Sequence, residues 1–94
     1  MTTLTTTMPL IEKELTVLNA QGLHARPAAM FVQIANKYDS KITVRRDKET
    51  INGKSTMGIL MLGAQHNTNI LLIADGEDAV EALTELEEFL KKNE

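Results

Sequence analysis

The chain has 94 residues, of which 43% are hydrophobic and 24% charged, and its formal net charge is −3. This length and composition predict one globular domain with a single modest core. The negative net charge and the scarcity of aromatic residues argue against nucleic-acid binding. The lack of cysteine excludes disulfides and thiolate chemistry, and no apolar run is long enough to cross a membrane.

The first residues are rich in threonine and show no pattern of a core element. They also lack the basic start and the apolar stretch of a secretory signal peptide, which makes the cytoplasm the expected location. We therefore expect a flexible tail over residues 1–10 and a single folded domain over residues 11–94.

The first two predicted elements are a strand and a helix. Apolar and polar residues alternate over residues 11–17, which predicts a half-buried strand with Lys13 at its outer end, and residues 19–22 form a loop. Over residues 25–38 the spacing becomes helical. The shared apolar face of this predicted helix consists of Ala28, Phe31, Ala35 and Tyr38. Pro27 falls in the first turn, where its missing N–H breaks no helical hydrogen bond.

Two short strands and a short helix follow in the sequence. Apolar and polar residues alternate over residues 41–46, which predicts one strand. A polar turn follows, and residues 49–52 beyond it are predicted to form the second strand. Ser55 is a natural N-cap for the apolar helix that contains residues 57–62, and Gly63 is suited to end it.

A strand and a long helix complete the chain. Four consecutive apolar residues within residues 69–74 predict a central, well-covered strand. The last helix is predicted over residues 77–92, with a core stripe formed by Ala79, Ala82, Leu83, Leu86 and Leu90. The order β-α-β-β-α-β-α predicts an α+β fold in which three helices cover one face of a four-stranded, mainly antiparallel sheet.

The start of the first helix carries the residues best suited to chemistry. A helix start binds anions, because its first backbone N–H groups lack intrahelical partners and its dipole is positive there. His24 is therefore a candidate nucleophile for a phosphoryl group, and Arg26 supplies a cation that can bind phosphate oxygens. An ordinary capping or surface histidine is the alternative interpretation. These residues do not distinguish the two ring nitrogens.

The short second helix predicts an exposed apolar surface. Met57, Leu60 and Met61 cannot all point inward from two helical turns alongside Ile59 and Leu62. An exposed apolar patch usually marks a surface that binds a partner.

Other kinds of site find no support. His66 has neither a following arginine nor a helix start, and the two histidines with scattered carboxylates lack the ligand spacing of a zinc site. The segment 53–55 lacks the earlier half of a nucleotide-binding phosphate loop. We therefore expect no metal and no cofactor.

Two motifs carry a resemblance to a known family. Gly22-Leu23-His24-Ala25-Arg26-Pro27-Ala28, followed by Asn52-Gly53-Lys54-Ser55-Thr56-Met57-Gly58, resembles HPr, the family of histidine phosphocarriers of the bacterial phosphotransferase system. The likeness covers about residues 12–90 and two motifs at this separation are far more specific than one. It implies an open-faced β-sandwich that accepts a phosphoryl group from phosphorylated enzyme I, itself charged by phosphoenolpyruvate, and passes it to enzyme IIA proteins.

The resemblance also implies roles for individual residues. His24 would carry the phosphoryl group on Nδ1, and Arg26 would be its electrostatic partner. The partner-binding surface beside the histidine would consist of Ala25, Pro27, Met57, Leu60 and Met61. The protein would be a monomeric carrier and not an enzyme, since no constellation of base, nucleophile and oxyanion donors is visible.

Ser55 has two interpretations that the sequence does not separate. It is either a helix cap alone or, as in some HPr-like proteins, also a serine that an ATP-dependent HPr kinase phosphorylates. Two alternative functions follow. One is the carrier of a regulatory, nitrogen-related phosphotransferase branch. The other is a protein-binding regulator that acts only through Ser55, against which the presence of His24 argues.

Overall fold

The structure is a computed structural model that describes residues 10–18, 20 and 22–92. Its elements are β1 (Leu10–Thr16), α1 (Ala25–Ala35), β2 (Lys41–Arg46), β3 (Glu49–Asn52), α2 (Thr56–Leu62), β4 (Asn69–Asp75) and α3 (Ala79–Lys91). The predicted order is confirmed. The tail expected over residues 1–10 lies outside the described residues except for Leu10, which instead begins β1 and pairs with Asp75. No helix in the described part is long and apolar enough to span a membrane.

The four strands form one sheet in the order β1-β4-β2-β3, and every neighbouring pair is antiparallel. β4 lies inside the sheet, between β1 and β2, as its apolar run predicts. Alternate side chains on the sheet face beneath the helices are buried. They include Leu15, Ile42, Val44, Ile70, Leu72 and Ala74.

The three helices pack on this one face and complete the core. Phe31 of α1 is fully buried, and all five residues of the predicted α3 stripe are buried. Lys13 belongs to the same face of β1, and its ammonium group reaches Glu87 of α3 at 2.8 Å. A lysine at an inward-facing position is therefore accommodated by an ion pair at the rim of the core.

α1 ends three residues before the predicted end at Tyr38. The amides of Lys37 and Tyr38 bond to the carbonyls of Ile34 and Ala35, three residues back, so the chain tightens out of the α-helical pattern. Tyr38 stays half-buried and its hydroxyl bonds to Glu85 of α3. The apolar spacing in the sequence therefore extends beyond the end of the helix, because the turn that follows α1 also packs against the core.

α3 begins at Ala79 and not at residue 77. Asp78 is the N-cap residue, but its carboxylate makes no capping bond and instead accepts hydrogen bonds from Ser40 and from the amide of Asp39. These bonds hold the pKa of the Asp78 carboxyl below its ordinary value, the Ser40 hydroxyl being the largest cause. The loop after α1 is therefore fastened to the start of α3.

Candidate functional site

His24 lies at the start of α1, as predicted. It is the N-cap residue, with an extended backbone (φ −78°, ψ −170°), and its carbonyl accepts the Ala28 amide at 2.7 Å. Its side chain is exposed and makes no capping hydrogen bond. The imidazole therefore does not cap the helix, and its ring nitrogens stay accessible for a reaction.

The first turn of α1 offers hydrogen-bond donors beside His24. The first intrahelical hydrogen bond of α1 runs from the Ala28 amide to the His24 carbonyl. The amides of Ala25 and Arg26 come before it and therefore have no acceptor within the helix. Pro27, between them and Ala28, has no N–H at all. Two backbone donors and the positive end of the helix dipole thus lie next to the histidine, an arrangement suited to a phosphoryl group.

The segment before His24 is fixed against the chain that follows α2. Leu23 is 2% exposed, and its amide donates to the Ala64 carbonyl at 2.8 Å. Gly22 has φ +65°, and a Cβ there would lie 2.8 Å from the Ala64 oxygen and from the Gln65 Cα. Only glycine fits this left-handed close approach, so the sequence brings His24 beside residues 63–65 through a buried backbone contact.

A surface pocket of about 350 Å³ lies where these two segments meet. It is lined by Leu23, His24, Ala25, Leu60, Gly63, Ala64 and Gln65. The structure therefore brings His24 together with Ala25 and Leu60, two of the residues named for partner binding. Residues 63–65 were missed by the sequence reasoning, because nothing local in them signals that they face a histidine forty residues earlier.

Arg26 is exposed and does not line this pocket. In the described part of the chain no hydrogen bond or ion pair is seen for its guanidinium group. Met30, four residues further along α1, is 46% exposed. Residues four apart share a helix face, so Met30 lies on the same exposed face of α1 as Arg26, one turn further from the helix start. The spacing of four residues between Arg26 and Met30 could have predicted this from the sequence.

α2 presents the predicted apolar patch. Ile59 and Leu62 are buried, whereas Met57, Leu60 and Met61 are 65%, 38% and 72% exposed. We call these three exposed residues the docking patch. Leu60 connects the patch to the pocket beside His24, so the apolar surface is continuous with the candidate phosphoryl site.

Ser55 caps α2 and lies apart from the pocket. Its hydroxyl oxygen accepts the Gly58 amide at 3.0 Å, which confirms the predicted N-cap. The pocket meets α2 at its other end, through Leu60 and Gly63. Seven helical residues span about 10 Å, so a group on Ser55 would act on the docking patch rather than on His24 directly.

The chain matches known proteins over most of its length. The sequence profile of the family described as PTS-HPr, PTS HPr component phosphorylation site, matches residues 11–92. The chain is 40% identical over 82 residues to the phosphocarrier protein HPr of Treponema pallidum, covering 87% of this chain and 93% of that protein. It is 39% identical over 83 residues to the HPr-like protein Crh of Bacillus subtilis, covering 88% and 98%.

A solved structure shares both fold and sequence. The crystal structure of the phosphocarrier protein HPr from Bacillus anthracis superimposes with a TM-score of 0.84 at 40% identity, covering 86% of this chain and 96% of that one. These matches agree with the element order and with the exposed histidine at the start of α1. The chain belongs to the HPr family, the phosphocarrier proteins of the phosphotransferase system.

Proposed function

We propose that His24 is the residue that carries the phosphoryl group, which it accepts from phosphorylated enzyme I and passes to enzyme IIA proteins. The observation that carries this proposal is the exposed imidazole at the N-cap of α1, which makes no capping bond and lies next to the Ala25 and Arg26 amides, for which no acceptor is seen among the described residues. The protein is then the substrate of other proteins' chemistry and not an enzyme. Because phosphoenolpyruvate charges enzyme I, we place this carrier in the cytoplasm.

The transfer exchanges one bond to phosphorus for another. The lone pair of Nδ1 forms a bond to phosphorus as the bond between phosphorus and its donor atom on enzyme I breaks. In the second step the acceptor on enzyme IIA attacks, and the electron pair of the N–P bond returns to Nδ1. The amides of Ala25 and Arg26 donate to the phosphoryl oxygens, and the Arg26 guanidinium offsets their charge.

The partners would bind to the surface around the pocket. Ala25 and Pro27 belong to the first turn of α1 after His24, and the docking patch, which is apolar and exposed, reaches the His24 pocket through Leu60. Methionine side chains adapt to differently shaped partners, which suits a carrier that must bind an enzyme I and several enzyme IIA proteins in turn. All the residues proposed for the site belong to one chain, so we propose that a monomer is the working unit.

The test is phosphorylation by enzyme I and phosphoenolpyruvate. We expect wild type to gain one acid-labile, base-stable phosphate, and His24→Ala to gain none, with His66→Ala as the matched histidine control that labels normally. If His24→Ala labels as well as wild type, the assignment is wrong. Arg26→Ala should fold normally and transfer more slowly, because one cation is lost at the site.

A regulatory role of Ser55 is a second proposal, supported by its position. Its half-buried hydroxyl lies in the turn before Met57. A phosphoryl group there would add close to two negative charges beside the docking patch and repel an acidic partner surface. We expect an HPr kinase with ATP to label wild type but not Ser55→Ala, and the product to accept the enzyme I phosphoryl group more slowly. Equal labelling of both proteins would exclude this role.

A further inference from the structure

The C-terminal end of α2 is tied to the sheet by one arginine. α2 has no basic residue in its last turn, and Gly63 ends it in a left-handed conformation. Arg46, the last residue of β2, donates from Nη1 to the carbonyls of Leu62 at 2.8 Å and Gly63 at 3.3 Å. A permanent cation from another element therefore satisfies carbonyls that the helix leaves free, at the negative end of its dipole.

These carbonyls are next to the wall of the His24 pocket. Gly63 itself lines the pocket, and the following residue, Ala64, accepts the hydrogen bond from the Leu23 amide. Ala64 and Leu23 are both buried. The contacts thus run without a gap from β2 through Arg46 to Gly63 and Ala64, and from there to Leu23 and the histidine.

We propose that Arg46 is a positioning residue for phosphoryl transfer. By holding the end of α2 against the sheet, it fixes the pocket wall against Leu23, and so sets how His24 and the docking patch face an arriving partner. Arg46 does not line the pocket and acts through Gly63 and Ala64. This inference rests on the proposed role of His24.

The neighbouring residue provides a matched control. Arg45 is exposed on the opposite face of β2, where it pairs across the sheet with Leu71 and Thr50. No hydrogen bond or ion pair to another described residue is seen for its side chain. Replacing Arg45 changes the net charge as replacing Arg46 does, but leaves α2 untouched.

The experiment compares Arg46→Met, which keeps an apolar stem, with Arg46→Lys and Arg45→Met. In steady-state labelling by enzyme I at low temperature, we expect Arg46→Met to lower kcat/KM about tenfold, mainly through kcat, because a small misplacement of a reacting group is costly. Arg46→Lys should recover part of the rate, since its ammonium can reach one carbonyl. The imidazole ¹⁵N resonances of His24 should shift in Arg46→Met and stay in place in Arg45→Met.

Several outcomes would overturn the inference. If Arg46→Met lowers only the free energy of unfolding, while kcat and the His24 ring resonances match those of Arg45→Met, the arginine has a structural role alone. If Arg46→Met does not fold, the uncharged variant Arg46→Gln is measured instead, and wild-type kcat and ring resonances in that variant refute the proposal. The ring resonances need no phosphate, so they test the positioning even if wild type is not labelled and the proposed function fails.

Discussion

Gly22→Ala tests whether a backbone contact builds the site. Gly22 has φ +65°, and an added Cβ would lie 2.8 Å from the Ala64 oxygen and the Gln65 Cα. Both are backbone atoms, so they cannot rotate away as a flexible side chain would. The variant must therefore push residues 22–24 away from residues 64–65 and stretch the bond between the Leu23 amide and the Ala64 carbonyl.

The expected magnitude has two parts. The left-handed conformation costs a residue with a Cβ roughly 1–2 kcal/mol. Loss of a buried hydrogen bond with its groups left unpaired adds about 1–3 kcal/mol. Gly63→Ala is the matched control, because Gly63 has nearly the same φ, +67°, but the nearest atom to its added Cβ is Arg46 Nη1 at 3.7 Å, an ordinary contact. It should carry only the first part.

The assay is urea unfolding followed by circular dichroism, with labelling by enzyme I measured where both variants are folded. We expect Gly22→Ala to lose more unfolding free energy than Gly63→Ala by about 1–3 kcal/mol, and to be labelled more slowly. Equal losses in the two variants would mean that the approach of residue 22 to residues 64–65 is not part of the folded protein.

Two further predictions concern helix caps and pH. Ser55→Ala should lower the unfolding free energy by about 1 kcal/mol, because the Gly58 amide loses its acceptor, and an unchanged urea midpoint would contradict the cap. Hydrogen bonds from Lys37 and then Tyr38 hold the pKa of the Glu85 carboxyl below its ordinary value of 4.5. The folded state therefore binds this proton less readily than the unfolded state, so Glu85 stabilises the fold above that value and loses the effect as pH falls through its lower folded pKa. The stability gap between wild type and Glu85→Gln should be wide near neutral pH and close in acid, and a gap that stays constant across that range would contradict this role of Glu85.

Much of the fold could be predicted because its signals are local. The caps of α2 are read from Ser55 and Gly63, and the alternation in β2 shows which residues face the core. The position of His24 at a helix start could also be predicted, since Pro27 and the apolar spacing after it define where α1 begins. Each of these features depends on residues within one or two turns of each other.

The parts that could not be predicted depend on contacts between distant segments. Tyr38 keeps the apolar spacing of α1 although the helix has ended, because packing on α3 and not helical geometry buries it. The pocket wall at residues 63–65 contacts Leu23 across about forty residues of sequence, through the hydrogen bond from the Leu23 amide to the Ala64 carbonyl. Arg46 continues the alternation of β2, a strand that lies between β4 and β3, and nothing in the local sequence indicates its hydrogen bond to the end of α2.

At the candidate site the reactive side chains are exposed and the contacts behind them are buried. This arrangement suits a carrier that must release the phosphoryl group again. His24 and Arg26 are exposed, and the donors that the described residues place beside the imidazole are the amides of Ala25 and Arg26, so these residues by themselves do not enclose a phosphoryl group. Full enclosure would stabilise the phosphorylated state and raise the barrier to the next transfer, because binding that favours a ground state does not speed the step that leaves it. The remaining contacts must then come from each partner in turn. What the chain itself supplies is a fixed backbone position for the histidine, and that comes from buried contacts behind it, at Gly22, Leu23 and Ala64.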